Sequence, residues 1–293
     1  MNTSLRLERS LATQVVAPFT GEGAYHGSTK ARSAPERPSA PPPPVVEEMR
    51  ATTLELPDSN DSNDPGREFD AHFPNLCETR SRLPIPTQAE IRDDGVTFCW
   101  CPIELALAQA GPLTKRVLVE MTKHLAGHKR HVYIDSKIQY FEPGDVPVDS
   151  QHWHVDGSIS VRGPQAERRG HALLHDMRAR LSNPAISPTY LSYQSSEHCA
   201  TCFVGEPVTL RLPELIPNFD ELDQKVRALD PAWLAQPAGA IVRFDGLSLH
   251  RAVAAHDAGW RLWVRCVETD REVVFDRSII ECYGTVFRTQ ADA

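Results

Sequence analysis

The sequence predicts a mostly β domain with flanking helices, built as an antiparallel barrel or sandwich rather than a doubly wound sheet. Two observations carry this. A helical apolar stripe comes early in the globular part, and period-two or short apolar segments, parted by turns, fill most of the remainder. No internal repeat is visible.

Each element has its own signal. Pro112 to Leu125 reads as a helix, because Leu113, Val117, Met121 and Leu125 recur on one face. From His131 to Phe141 the period drops to two. Val132, Ile134, Ile138 and Tyr140 share one side of that strand; Tyr133, Asp135, Lys137, Gln139 and Phe141 share the other. Thr189 to Ser195 reads as another strand. Asn218 to Leu229 opens with a capping pattern, Asn218 followed by Glu221, and sets Leu222, Val226 and Leu229 on one stripe. Two strands come after it: Ala240 to Phe244, beyond the turn Pro237-Ala238-Gly239, and Arg261 to Val267.

The chain has 293 residues, 41% of them hydrophobic, and a formal net charge of −8. That length suits one large domain or two small ones. Net acidity gives no support to a broad phosphate-binding surface, so nucleic acid is not an expected partner. No apolar run approaches the ~20 residues of a membrane-spanning helix. The seven cysteines are an odd number, which argues against a disulfide framework, and Met1 to Phe19 lacks the apolar stretch of a secretory signal. A cytoplasmic protein is expected.

Residues 1–66 differ in kind. The run Pro41 to Pro44 and the stretch Asp58 to Gly66 have the composition of a disordered, proline-rich tail or linker. Early arginines would also suit an organellar transit peptide, but Glu8, Glu22 and Glu36 oppose that. Residues 67–293 form the expected folded domain.

The densest chemical signal is Gln151-His152-Trp153-His154-Val155-Asp156-Gly157. In an extended segment, residues two apart face the same way, so His154 and Asp156 can hold one metal together. They supply two of the three ligands of a two-histidine, one-carboxylate site. That set leaves three faces of an octahedral Fe(II) open for a chelating co-substrate and oxygen. The third ligand must come from a distant strand, and His250 is the candidate, placed after an apolar strand and a turn. Eleven residues later, Arg261, Trp263 and Arg265 share one face of a strand.

With these residues in place, the sequence resembles the Fe(II)- and 2-oxoglutarate-dependent oxygenases, most closely the phytanoyl-CoA hydroxylase-like branch. The resemblance covers about residues 131–268. It implies a double-stranded β-helix (jelly-roll) core, with iron held by His154, Asp156 and His250. It also implies that Arg261 binds the far carboxylate of 2-oxoglutarate. Arginine suits that task, because its planar fork meets a carboxylate through two parallel hydrogen bonds. The implied activity is hydroxylation of a small molecule using Fe(II), 2-oxoglutarate and O2; halogenation is disfavoured because Asp156 fills the place a halide would need. Some relatives carry a serine two residues after the arginine, where this chain has Trp263. Lys137, Gln139, Thr189 or Tyr190 would have to serve instead.

Other readings compete. His152-x-His154-x-Asp156 starts like a metallo-β-lactamase signature, but Gly157 stands where that signature continues with histidine. A cupin-type barrel, acting as a binding module, would use His152 and His154 with a nearby glutamate, and no acid occurs between Asp156 and Glu167. Without a metal, His154 and Asp156 would be a hydrogen-bonded surface pair. The pairs Cys99/Cys101 and Cys199/Cys202 could together bind a structural zinc. Residues 163–183 hold Arg168, Arg169, His171, His175, Arg178 and Arg180, as either a solvated helix face or a basic lid. Arg265 shares the face of Arg261, so it should point inward and need an anion. That anion is an internal acid such as Asp245 or Glu268, or a group on the substrate. The basic insertion favours the latter, and an anionic substrate is expected.

Overall fold

The computed structural model describes residues 68–148, 151–156, 180–181, 183–213, 219–272, 279–280 and 287–288. The predicted tail and nearly all of the basic insertion lie outside the described residues. Along the chain come β1 (Glu68–Phe73), β2 (Cys77–Arg82), α1 (Gln88–Asp93), β3 (Thr97–Phe98), β4 (Cys101–Pro102), α2 (Ile103–Gln109) and α3 (Pro112–Thr122). Next are β5 (His131–Phe141), β6 (Asp145–Val146), β7 (Thr189–Gln194), β8 (Thr201–Val204), β9 (Val208–Pro213) and α4 (Asp220–Leu229). The chain closes with β10 (Trp233–Ala235), β11 (Ala240–Asp245), β12 (His250–Ala252), β13 (Gly259–Thr269), β14 (Ile279–Ile280) and β15 (Phe287–Arg288).

Six strands form one antiparallel sheet in the order β2-β11-β7-β13-β5-β4. Its spine is the long pairing of β13 with β5, from Gly259 opposite Phe141 to Thr269 opposite His131. Alternation then sorts the side chains. Ile134 and Ile138 of β5, Leu262, Val264 and Cys266 of β13, and Ile241 of β11 turn to one side. There they bury against Ile91, Ile103, Leu113, Val117, Leu118 and Met121 of the three early helices. The other side carries Asp135, Gln139, Arg261, Arg265, Tyr190, Val242 and Phe244.

That second side faces a three-stranded sheet, β10-β8-β12. Phe203 of β8 meets Phe244 at 5.1 Å between ring centroids, inside a buried group with Tyr190, Val242 and Val267. On the outer side of the small sheet, Cys202, Val204 and Leu249 bury with Trp153, Val155, Leu222 and Val226, and with Ala71, Phe73, Leu210 and Leu212 from the β1-β9 ribbon. The architecture is mostly β, antiparallel, with helices flanking the large sheet. Among the described residues, no helix is long and apolar enough to cross a membrane.

Two helical expectations need correction. The stripe of α3 ends with Met121, and Leu125 lies beyond the helix. The start of that helix is held from a distance: Asp94 accepts hydrogen bonds from Leu113 N at 2.7 Å and Thr114 N at 3.0 Å. Gly111 just before it is required, because a Cβ there would collide with the Asp94 carbonyl. The N-cap of α4 is Phe219, with no side-chain capping bond, and Asn218 of the expected Asn218–Glu221 cap lies outside the described residues. Asp220, Glu221 and Asp223 in the first turn stabilise the positive end of the helix instead. Leu229 ends the helix half-exposed, off the buried stripe.

Candidate metal centre

His154 and His250 are directly opposed. His154 N donates to the His250 carbonyl and His250 N to the His154 carbonyl, each at 3.0 Å, an isolated antiparallel bridge that adds residue 154 to the edge of the small sheet. Directly opposed residues point the same way. His250 also pairs with Phe203 of β8, whose ring faces inward, so both imidazoles enter the space between the sheets. Their neighbours alternate outward: Trp153 and Val155 join the outer core, and Arg251 lies 4.7 Å over the Trp153 ring.

The ring centroids of His154 and His250 are 4.4 Å apart, and Asp156 Oδ2 lies 3.5 Å from His250 Nε2. One ligand atom from each of the three falls within 4.8 Å of the others. Both tautomers follow from the hydrogen bonds. His154 Nδ1 donates to the His152 carbonyl at 2.8 Å and His250 Nδ1 to the Ser248 carbonyl at 2.9 Å. A carbonyl can only accept, so each Nδ1 carries a proton, and Nε2 is the atom that each ring offers to a metal. Burial first, and His250 second, push His154 down to about 4, which keeps it a neutral ligand near pH 7. Burial raises the Asp156 carboxyl, but Arg265 and His250 outweigh it and hold it well below the usual carboxylate range. Two imidazoles that each present Nε2 and one ionised carboxylate are a donor set that fits a divalent first-row metal.

The loops that aim these ligands are fixed by side-chain bonds. In the turn before His250, Asp245 Oδ1 accepts from Leu247 N at 2.9 Å, and Asn75 Oδ1 accepts from Leu249 N at 2.9 Å. On the other motif, Asp223 of α4 accepts from Trp153 N at 2.8 Å while receiving Arg227 Nε at 2.6 Å. Arg180 Nη1 donates to the Asp156 carbonyl at 2.6 Å. It reaches that point beside Gly246, where a Cβ would come within 3.2 Å of the same nitrogen and 2.9 Å of Pro188.

No protein-family model matches this sequence, and no curated protein matches it. The geometry therefore carries the functional argument alone.

The remaining sequence candidates fall in different places. Arg261 is buried, donates from Nη1 to the Cys199 carbonyl at 2.6 Å, and has no ion pair among the described residues. Arg265 is fully committed: Nη1 lies 2.5 Å from Asp156 Oδ2 and Nη2 lies 2.7 Å from Asp135 Oδ2. Its internal acids are thus Asp135 and Asp156, not Asp245 or Glu268. Asp245 holds the turn before His250, and Glu268 accepts from Ala126 N and Gly127 N. The expectation of an anionic substrate rests in part on an unmet charge at Arg265, and these two acids remove that ground; the basic insertion, its other ground, lies almost wholly outside the described residues. Trp100, Tyr190 and Trp263 surround the same guanidinium at 5.5–5.9 Å.

Lys137 lies 6.0 Å over the Trp263 ring. Gln139 is buried and donates to the Pro147 carbonyl at 3.3 Å. Tyr190 stacks on Phe244, and Thr189 begins β7. His152 turns away from the metal ligands and pairs with Asp220 at 3.0 Å. Cys99, Cys101, Cys199 and Cys202 do not come together as a zinc site: among the described residues, His154, Asp156 and His250 are the one group with metal-binding geometry.

Asp135, which pairs with Arg265, is the member of the candidate site that sequence reasoning passes over. Its signal is present, since it shares the inward face of β5 with Lys137 and Gln139, opposite Arg265 on β13.

Proposed function

We propose that the protein is an Fe(II)- and 2-oxoglutarate-dependent dioxygenase that hydroxylates a small-molecule substrate, on a double-stranded β-helix core. The observation that carries this is the inward-facing set of His154 Nε2, His250 Nε2 and Asp156, held on opposed strands with both proton positions fixed. Three protein ligands leave room for a chelating keto acid and oxygen. Ferrous iron would supply the oxygen-activating chemistry.

The chain's own residues divide the rest of the work. Arg265 keeps Asp156 ionised and oriented, and Asp135 anchors Arg265 from behind. Arg261, a buried cation without an ion pair among the described residues, supports binding of the far carboxylate of the keto acid. Phe203, Phe244 and Tyr190 pack beneath His250 and exclude water from one side of the centre.

The test is anaerobic addition of Fe(II) and 2-oxoglutarate to the purified protein. The expected result is a visible iron-to-keto-acid charge-transfer band, followed by succinate release when oxygen is admitted. Metal binding with neither band nor succinate would leave a metal-binding barrel without this activity.

A further inference from the structure

A poorly satisfied part of the interior lies four residues from Arg265 along β13, around Arg261. Besides lacking an ion pair among the described residues, the guanidinium has a buried Nε with no hydrogen bond. A buried cation in this state is costly unless an anion arrives.

A second orphan stands against the same wall. Phe141 lies 5.7 Å from the Arg261 guanidinium and 5.7 Å, edge to face, from the ring of His198. The His198 backbone is pinned, its carbonyl accepting from His256 N at 2.9 Å. One side of the ring interacts with the Gly259 backbone, which favours a proton there. The other nitrogen, Nε2, is buried without a partner. Two unmet polar atoms, one cationic and one able to gain a proton, are what a carboxylate would satisfy.

We infer that His198 and Arg261 together form a carboxylate-binding site, in which the bound anion accepts hydrogen bonds from both and His198 Nε2 takes up one proton from solvent as it binds. This rests on the oxygenase reading for its ligand, the far carboxylate of 2-oxoglutarate. In the free site, burial first and Arg261 second push His198 down to about 4, so the ring is neutral near pH 7. An arriving anion offsets the repulsion from Arg261 and favours the imidazolium. The charged groups around the ring are few. Arg261 faces it from β13, and His256 and Asp257, both well exposed, face it from the preceding loop. The neighbouring Cys199 thiol is pushed up by burial and stays neutral, and β5 contributes the uncharged Phe141. Since the bound form holds the extra proton, affinity rises as pH falls toward the free-site value, by at most about tenfold per pH unit.

The experiment is anaerobic calorimetric titration of 2-oxoglutarate into the Fe(II)-loaded protein at pH 7 and pH 6, in buffers of different ionisation enthalpy. Wild type should take up close to one proton per ligand and bind several-fold tighter at pH 6. His198→Gln should bind more weakly at pH 6, with the pH dependence and the proton uptake both lost. Tight binding by wild type without proton uptake, or uptake unchanged in His198→Gln, would overturn the inference while leaving the oxygenase reading intact. If the variant does not fold, the wild-type proton count still decides. Should 2-oxoglutarate fail to bind at all, the oxygenase reading falls. Glutarate, which lacks the chelating keto group, then probes the pair directly, and no binding at millimolar concentration would overturn it.

Discussion

Arg265 Nη1 sits 2.5 Å from Asp156 Oδ2, so one of the three candidate metal ligands is already neutralised by a cation from the facing sheet. The same guanidinium reaches Asp135 at 2.7 Å, making an acid–base–acid chain through the interior. Removing its centre should be severe. Arg265→Ala leaves two carboxylates without their counter-charge and should cost about 3 kcal/mol of stability in the metal-free protein. A divalent metal takes over part of that charge, so a melting experiment should show a larger metal-induced stabilisation in the variant than in wild type. Equal gains would mean that Asp156 does not bind the metal.

The ligand assignment separates residues that look alike in sequence. His154→Ala and His250→Ala should each abolish stoichiometric binding of Fe(II) or Mn(II), as measured by metal analysis after gel filtration. His152→Ala should retain it, because that ring is turned to Asp220 and the bond to His154 is made by the His152 carbonyl, which alanine keeps. Loss of metal in His152→Ala, with retention in His250→Ala, would favour the cupin-type arrangement.

Arg261→Leu should leave metal content unchanged and raise the 2-oxoglutarate concentration needed for half-saturation by at least about tenfold, the loss of a charge-assisted contact. An unchanged titration would move the role to another cation.

Acid sensitivity follows from two imidazoles. Burial pushes both His154 and His198 down to about 4, against about 6.5 in an unfolded chain. The unfolded state therefore binds more protons between those values. The stability these groups contribute is complete above about pH 6.5 and is lost as pH falls toward 4. The depressed Asp156 adds a further loss below the ordinary carboxylate range, in the same direction. Urea unfolding of the metal-free protein at pH 7 and pH 5 should show a clear drop, and equal stabilities would contradict neutral burial of these rings.

Far from the centre, Asp94→Ala removes the carboxylate that caps α3 and should cost about 1–2 kcal/mol, read as a lower denaturation midpoint with metal affinity unaffected.

Local patterns are legible in the sequence, and long-range pairings are not. The strand His131 to Phe141 shows in its alternation, and its bounds are those of β5. Strand β1 alternates as well, with Phe69, Ala71 and Phe73 between Glu68, Asp70 and His72, but nothing local in it names β9 as its partner, where Asp70 comes to lie opposite Arg211 and His72 opposite Thr209. The cap of α4 misleads for a related reason: an Asn followed by a Glu is a strong local signal, but the chain enters the helix one residue later, at Phe219. At the centre, the spacing of His154 and Asp156 can be read within one segment. The partners of Arg265 cannot, since Asp135 becomes its neighbour only through the β5–β13 register.

Helix α4 supplies no ligand, yet it grips the motif strand at two points: Asp220 on the His152 ring and Asp223 on the Trp153 amide. Any tilt of this helix is passed to the next residue along, His154. A random screen for variants with weakened metal binding should therefore return substitutions clustered along one helix that carries no donor atom. Such variants would keep all three donors and fail through aim alone, binding metal slowly and loosely instead of not at all.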